Sequence, residues 1–190
     1  MIKQEIRTNR LILRKFTIDD LDAIFSIFND KEVNTYLPWF PLNSLEDAKR
    51  FFEEKYENTT DYKFAICLKE NSIPIGYIHV SNDDSHDFGY GLRKEFWRKG
   101  IVSEASKTVL ELLKKEGVKY ITATHDIHNL HSGYVMQSLG MKYQYSYEEL
   151  WKPKNILVTF RMYQLNFDEN DTSVYMKYWN RYENHFIEKM

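Results

Sequence analysis

The chain has 190 residues, 43% hydrophobic and 28% charged, which is the size and composition of one globular domain with a full core. Its 26 Lys and Arg against 28 Asp and Glu give a formal net charge of −2, so no broad basic face favours nucleic acid or a membrane surface. A single cysteine excludes an intramolecular disulfide, and the absence of a signal peptide or an apolar run of about 20 residues favours a cytoplasmic protein.

The first half of the chain predicts a strand, two helices and a hairpin. A strand is expected over residues 10–16. Thr17 and Ser44 are each followed three residues later by an aspartate, a pattern that begins a helix. Two strands joined by a short polar turn are expected over residues 62–69 and 73–81.

The second half predicts alternating strands and helices around a basic loop. Residues 87–92, which read D-F-G-Y-G-L, are expected to form a strand that leads into W-R-K-G at residues 97–100. An apolar stripe predicts a helix after this loop, ended by Gly117. The remaining predicted elements are a strand over 120–125, a helix over 129–139, and strands over 141–152 and 157–166.

The loop at Gly100 has the chemistry of a pyrophosphate site. Glycine allows a tight turn and a close backbone approach, and the first amides of the following helix lack partners within it. The helix dipole favours an anion at this end, and Arg98 and Lys99 add positive charge. The spacing is neither that of a P-loop nor that of a dinucleotide fingerprint, so a plain surface turn stays an alternative.

The segment G-Y-G-L-R-K-E-F-W-R-K-G-I-V-S-E-A resembles the acetyl-coenzyme A loop of the GNAT superfamily of N-acetyltransferases. It is most similar to the branch containing the ribosomal-protein alanine N-acetyltransferases. Further signatures fall in the same order: R-L-I-L-R, G-Y-I-H-V, N-x-x-S before L-G-M, and R-M-Y-Q-L. Trp97 and Val102 depart from the superfamily pattern Q/R-x-x-G-x-G/A, so the match is to the branch.

The resemblance implies a GNAT domain over residues 1–167 with an α+β fold. The expected core is a mixed, mostly antiparallel sheet of about seven strands flanked by about four helices. The family's usual ending is shorter than this chain, which leaves residues 168–190 as an extension. Its aromatic residues have helical spacing and predict an amphipathic helix: Tyr175, Tyr178, Trp179, Tyr182 and Phe186. That aromatic face would pack on its own domain or form a contact with a partner, such as a homodimer.

Acetyl-CoA is the cosubstrate that the resemblance implies, with no metal. Backbone groups at the end of the strand would bind the pantetheine arm, the loop would hold the pyrophosphate, and a helix-start asparagine would contact the arm. The residues that match these roles are, in that order, Gly91, Leu92 and Arg93; Arg98, Lys99, Gly100, Val102 and Ser103; and Asn129.

Ser132 matches the serine that the ribosomal branch places near the cofactor sulfur, which implies a general acid. The alternative is an ordinary helix hydroxyl bonded to the preceding turn. Many family members instead use a tyrosine at the position held here by Met136. Tyr134 lies roughly 200° away around the helix and cannot substitute for it.

The general base has three candidates. Asp87 matches an acidic residue often found two positions before G-Y, and His79 and His125 lie on neighbouring strands. Each also has a structural interpretation, as a solvated carboxylate or a hydrogen-bonded histidine. His125, His128 and His131 straddle a strand–helix junction, so a metal site is disfavoured. Cys67 lies among apolar strand residues and is interpreted as core.

The acceptor site is expected beside the irregular segment between the first two helices. Tyr36, Trp39 and Phe40 fall where the family's first two helices wall the acceptor pocket, although a packed loop is the alternative. His79, on a neighbouring strand, is also expected to contact the acceptor amine. The sequence therefore predicts a transferase that moves an acetyl group from acetyl-CoA to a primary amine in a ternary complex. The amine is a protein N-terminus or a small molecule. A non-catalytic acyl-CoA-binding module and a nucleotide-binding protein remain the alternatives.

Overall fold

A computed structural model describes residues 5–189 and contains nine strands and five α-helices in that range. The elements follow in chain order: β1 (Ile6–Arg7), β2 (Leu11–Arg14), α1 (Leu21–Phe28), α2 (Leu45–Phe52), β3 (Tyr62–Leu68), β4 (Pro74–Val80), β5 (Phe88–Leu92), α3 (Ile101–Lys115), β6 (Tyr120–Asp126), α4 (Leu130–Ser138), β7 (Lys142–Trp151), β8 (Ile156–Asn166), α5 (Lys177–Arg181) and β9 (His185–Phe186). Among these residues no helix is long and apolar enough to cross a membrane.

The predicted helix starts are present. Thr17 and Asp20 form the expected reciprocal capping box, although the first turn, Ile18–Asp20, is a 3-10 turn that precedes α1. The Ser44 hydroxyl accepts a hydrogen bond of 3.1 Å from the Asp47 amide at the start of α2. Both caps satisfy amides that the helix leaves unpaired.

The strands form two antiparallel sheets rather than the single sheet of about seven strands that the resemblance implies. The first sheet has the order β1-β2-β3-β4-β5, and the second has the order β6-β8-β7-β9. An isolated parallel bridge between Asp87 and Thr122 joins the two sheets, so β5 and β6 start side by side and then separate. The element order is otherwise as predicted, with β1 and β9 added.

Three apolar clusters surround this framework. The largest lies between the sheets and helices α3 and α4, and it includes Val109, Leu113 and Tyr163. A second packs α1 and α2 on the opposite face of the first sheet, and buried Cys67 belongs to it. The prediction that Cys67 is core is confirmed.

The C-terminal extension is mainly not the helix that the aromatic spacing predicts. Within residues 168–189, only Lys177–Arg181 is α-helical, and His185–Phe186 adds a short strand to the edge of β7. An edge strand offers unpaired amides and carbonyls, and pairing with them outweighs continuation of the helix. Most of the aromatic residues nevertheless pack on the same chain in the third cluster, beside Tyr145 and Tyr147. Phe186 is the exception, with 41% of its surface exposed.

Candidate active site

The separation of β5 from β6 opens a gap beyond the bridge at Asp87. The Arg93 amide donates to the Ile75 carbonyl across the β4–β5 ladder, at 2.9 Å. Because the hydrogen bonds of an antiparallel pair alternate along the strand, the backbone groups of Gly91 also point toward β4. The backbone groups that point into the gap are therefore those of Tyr90 and Leu92. Of the three residues expected to bind a pantetheine arm through the backbone, only Leu92 has this orientation.

The two faces of β5 carry different chemistry, because side chains alternate along a strand. Asp87, Gly89 and Gly91 share the face that packs toward α1 and α2, and Tyr90 lies on the face of α3 and α4. A Cβ at Gly89 would lie 2.3 Å from the His79 ring, and one at Gly91 would lie 2.4 Å from the Tyr77 ring. The glycines therefore let two rings from β4 lie across β5.

Asp87 and His79 are brought together on the first face. His79 Nε2 lies 3.9 Å from Asp87 Oδ2, which is too long for a direct hydrogen bond. About a third of the Asp87 side chain is exposed (32%), but its Oδ1 is buried and accepts no hydrogen bond from residues 5–189. Burial, followed by the charges of Asp83 and Glu149, raises the pKa of Asp87 to about 7.

His79 has the opposite shift. Burial, followed by the charge of Lys63, lowers its pKa to about 4. The imidazole is therefore neutral at pH 7, whereas Asp87 exchanges its proton near that pH. A carboxyl group that titrates near the working pH is suited to general acid–base catalysis.

Ser132 lies on the other side of the gap, against Tyr90. The Tyr90 hydroxyl is 2.8 Å from the Ser132 carbonyl oxygen and 2.9 Å from Ser132 Oγ. Burial raises the pKa of Tyr90, so it remains a protonated donor. Asn129 caps α4 by accepting the Ser132 amide through its Oδ1, at 3.3 Å. The predicted serine is thus held by a tyrosine that the sequence analysis did not identify.

His125 is not placed beside Asp87. Only 4% of its surface is exposed, its Nδ1 contacts the Asp126 carbonyl at 2.8 Å, and its ring packs on Tyr163. A Cβ at Gly133 would lie 2.8 Å from its Nε2, so the ring lies beneath α4, on the face opposite Asp87. This is the position of a packed histidine, and burial lowers its pKa. Residues 5–189 contain no cluster of three His, Cys, Asp or Glu side chains with metal-binding geometry.

The loop before α3 has the predicted geometry. Gly100 is the residue before the helix and has a φ of 69°, a conformation that favours glycine. The Glu104 amide is the first to bond back to the Gly100 carbonyl, at 3.0 Å, which leaves the amides of residues 101–103 at the exposed helix start. A Cβ at Gly100 would contact only the Arg10 guanidinium, at 3.7 Å. The backbone is therefore accessible to a phosphate group, and the residues fit the pyrophosphate of acetyl-CoA.

Arg10 and Glu104 brace this loop, a role that the sequence analysis missed. Arg10 Nη1 donates to the Lys99 carbonyl at 3.0 Å, and its Nε pairs with Glu104 at 2.7 Å. Trp97 Nε1 donates to the Leu92 carbonyl at 2.7 Å, which links the loop to the end of β5. Both residues were present in the motifs quoted from the sequence, because Arg10 is the first residue of R-L-I-L-R and Glu104 is the last but one of the loop segment.

The predicted acceptor residues between α1 and α2 have different environments. The Tyr36 hydroxyl donates to the His128 carbonyl at 3.2 Å, so this segment touches the β6–α4 turn. Trp39 packs on Phe51, with ring centroids 5.3 Å apart, and its buried Nε1 has no hydrogen-bond partner within residues 5–189. Phe40 is 58% exposed. Trp39 is therefore part of a packed wall, whereas Phe40 projects outward.

Comparison with known proteins places this chain in one family. A family model described as "Acetyltransferase (GNAT) domain" matches residues 10–142. The chain is 29% identical over 141 residues to the uncharacterized N-acetyltransferase YnaD of Bacillus subtilis (strain 168), covering 72% of this chain and 82% of that one. The crystal structure of a GNAT-family acetyltransferase from Bacillus anthracis has a TM-score of 0.75 at 24% identity, over 86% of this chain and 98% of that one. The microcin C7 self-immunity acetyltransferase MccE, solved with acetyl-CoA and AMP, has a TM-score of 0.73 at 18% identity, over 84% and 93%.

Proposed function

The chain belongs to the GNAT family of acetyltransferases, and we propose that it transfers the acetyl group of acetyl-CoA to a primary amine by direct attack in a ternary complex. The observation that carries the proposal is the gap between β5 and β6. Asp87 lies at its closed end on one face, and the Tyr90–Ser132 pair lies on the other.

In this proposal the bound acetyl-CoA supplies a thioester whose carbonyl carbon accepts the amine, while the carbon–sulfur bond breaks. The amide of Leu92 and the backbone of Tyr90 point into the gap and can orient the pantetheine arm. The helix-start amides of Val102 and Ser103, with Arg98 and Lys99, hold the pyrophosphate. Backbone amides are suitable hydrogen-bond donors for these groups, because the fold fixes their positions and they need not reorganise when the ligand binds.

Asp87 is the proposed general base. An α-amino group has a pKa near 8 and a lysine near 10.4, so an amine acceptor arrives mostly protonated. The amine proton passes to the Asp87 carboxylate, whose raised pKa makes it a stronger base than an ordinary aspartate. His79 has a pKa of about 4 and is a poor proton acceptor at pH 7, so its role is to cover Asp87 and line the acceptor side.

Ser132 is the proposed general acid for the departing sulfur. Tyr90 has one hydroxyl proton and two acceptors within reach, the Ser132 carbonyl oxygen and Ser132 Oγ. When Tyr90 donates to Oγ, the serine proton is free to point into the gap toward the sulfur. Tyr90 is therefore a positioning residue for Ser132.

The acceptor remains either a protein N-terminus or a small-molecule amine at this stage. Tyr36, Trp39 and Phe40 are retained as candidates for its binding, since their segment borders the β6–α4 turn. A homodimer, a cytoplasmic location and membership of the ribosomal-protein branch also stay predictions.

The test is thiol release from acetyl-CoA in the presence of an amine panel. The panel contains diamines, amino sugars, amino acids and peptides with a free N-terminus, with free coenzyme A detected by a thiol reagent. We expect amine-dependent release that falls sharply in Asp87→Asn. Binding of acetyl-CoA without release on any amine would identify a non-catalytic acyl-CoA-binding module and contradict the proposal.

A further inference from the structure

The C-terminal extension, residues 168–189, lies on the same side of the protein as Asp87. At the bridge, the side chains of Asp87 and Thr122 lie on the same face of the two sheets. The residue pairing from β6 to β8, and then from β8 to β7, places Phe160 and Tyr147 on that same face. The Tyr178 ring stacks on Tyr147 with centroids 5.3 Å apart. The aromatic residues of the extension therefore cover the second sheet on the face where the proposed base lies.

The extension contacts the turn that leads into Asp87. Lys177, the residue before Tyr178, pairs with Asp84, and Ser85 Oγ in the same turn accepts the Asp87 amide at 3.2 Å. Burial, followed by the charge of Asp87, raises the pKa of Tyr178; burial also raises the pKa of Tyr147, with smaller contributions from Tyr178 and Asp87. The tyrosine pair thus lies within electrostatic range of the carboxylate at the closed end of the gap.

The extension is held in place at several points along its length. The Tyr145 hydroxyl donates to the Tyr175 carbonyl at 2.6 Å, and the Tyr175 amide donates to Gln164 Oε1 at 2.8 Å. Farther along, Arg161 Nε pairs with Glu188 at 2.9 Å. Because the chain is held on both sides of Tyr178, its ring has a fixed position. A rigid wall can select between substrates, since it does not rearrange to accommodate one of the wrong shape.

The chemistry of this wall favours a positive charge. The rings of Tyr147, Tyr178 and Tyr182 stack together, with Tyr147 and Tyr182 nearly parallel at 4.7 Å and 9°. Tyrosine faces attract ammonium groups, and the attraction increases where water is excluded. Lys177 of the extension pairs with Asp84, and Arg181 lies over the Tyr182 ring, so one ring of the stack already contacts a cation.

We propose that Tyr178 and the docked extension form a specificity-determining wall of the acceptor site, which selects small amines that keep a second positive charge after the reacting amine is deprotonated. The inference rests on the proposed function and narrows its acceptor to compact diamines and polyamines. A peptide N-terminus, which usually carries no second cation so close to the reacting nitrogen, would gain less from the tyrosine wall.

The experiment compares acceptors of equal length that differ at the far end: 1,4-diaminobutane, 4-aminobutanol and 4-aminobutyrate. Steady-state kinetics at saturating acetyl-CoA would be measured for the wild type, Tyr178→Leu and Tyr178→Phe. The control is Ile187→Ala, at a residue of the same extension that is 68% exposed. Acetyl-CoA binding is measured for every variant by the shift in melting temperature.

We expect the wild type to prefer the diamine over the amino alcohol and the amino acid. Tyr178→Leu should raise the KM of the diamine about tenfold with little change in kcat. The KM of the amino alcohol should change less, because the ring attracts only the cation. Tyr178→Phe keeps the ring and should keep the preference, as should Ile187→Ala. If Tyr178→Leu does not fold, Tyr178→Met removes the ring with a more adaptable side chain.

Two results would overturn the inference. One is an unchanged ratio of diamine to amino alcohol in the folded Tyr178→Leu or Tyr178→Met protein. The other is failure of every diamine and polyamine as a substrate, whatever else is acetylated. Either result leaves the proposed function standing if acetyl-CoA binds and another amine is acetylated. Loss of acetyl-CoA binding in the wild type would instead remove the proposed function itself.

Discussion

The proposed cofactor side and the proposed acceptor side of this protein are built in different ways. The proposed cofactor side is largely one continuous stretch, from β5 through the Gly100 loop to the start of α3. The proposed acceptor side is assembled from β4, β5, β7, the segment between α1 and α2, and the C-terminal extension. The first depends on backbone conformation, and the second depends on side chains brought from distant parts of the chain.

This difference explains why the two sides should respond differently to mutation. A backbone cradle tolerates different side chains at most positions, but not a new side chain at Gly100, a glycine with a positive φ beside the proposed phosphate site. An acceptor wall is sensitive to side-chain identity, because each side chain makes its own contact with the substrate and the backbone has no unusual conformation. The predictions below test this contrast, beginning with the largest expected effect.

Gly100→Asp should weaken acetyl-CoA binding by about 100-fold or more, equivalent to about 2.7 kcal/mol. The substitution places a side chain and a negative charge at the helix start, and it strains a residue whose φ is 69°. The measurement is calorimetric titration of acetyl-CoA.

Gly117→Asp is the matched control, because Gly117 also has a positive φ, of 85°, and follows the other end of α3. Both variants carry backbone strain, but only Gly100→Asp should lose the cofactor. Equal affinity in the two variants would show that the Gly100 loop is not the pyrophosphate site.

Asp87→Asn should lower kcat/KM about 100-fold at pH 9, a typical effect of removing a general base. Because the pKa of Asp87 is about 7, the wild type loses its carboxylate below that pH, whereas the variant has none to lose. The ratio of wild-type to variant rates should therefore fall about tenfold between pH 9 and pH 6, and the ionisation of the amine cancels in this ratio.

Asp84→Asn controls for the general loss of a carboxylate near this site, since Asp84 lies in the β4–β5 turn and pairs with Lys177. Its rate should stay close to that of the wild type. A wild-type to Asp87→Asn ratio that is constant from pH 6 to pH 9 would exclude Asp87 as the base.

Ser132→Ala should lower kcat about tenfold, because the negatively charged sulfur of the leaving coenzyme A loses the hydrogen bond that the serine hydroxyl donates. Tyr90→Phe should have a smaller effect in the same direction, since it removes the group that orients Ser132. Acetyl-CoA affinity should change little in both variants.

Ser138→Ala is the control on the same helix, where the Ser138 hydroxyl bonds only to the preceding turn, at 2.7 Å from the Val135 carbonyl. It should leave kcat unchanged. A Ser132→Ala rate within about twofold of the wild type would mean that this hydroxyl is also only structural.

Local signals in the sequence predicted the conformation of the Gly100 loop and the helix that follows it. Glycine at the loop, basic neighbours and an apolar stripe are properties of contiguous residues, and Gly100 has the expected conformation. The prediction of which backbone groups at the end of β5 point into the gap was less accurate. The register with β4 decides which backbone groups of β5 point into the gap, and neither residue type nor spacing encodes that register.

The acceptor side was harder to predict because its contacts are long-range. His125 is packed under Gly133, which the sequence could not reveal without the β6–β8 register. The aromatic periodicity of the extension predicted burial correctly for Tyr178 and Tyr182, but it predicted a long helix where pairing with the edge of β7 dominates. Hydrophobic spacing indicates which residues pack, whereas tertiary contacts decide the backbone conformation that presents them.

The most direct test of the account is the melting temperature of the protein with acetyl-CoA, coenzyme A, ATP or buffer alone. A ligand at 100 times its dissociation constant stabilises the folded state by about 2.7 kcal/mol, which corresponds to roughly 5–10 °C for a domain of this size. We predict such a shift with both coenzyme A forms and a much smaller one with ATP, because ATP lacks the pantetheine arm that we propose binds in the gap between β5 and β6, next to the phosphate site at the Gly100 loop. An equal shift with ATP, or no shift with any ligand, would contradict the assignment of this gap.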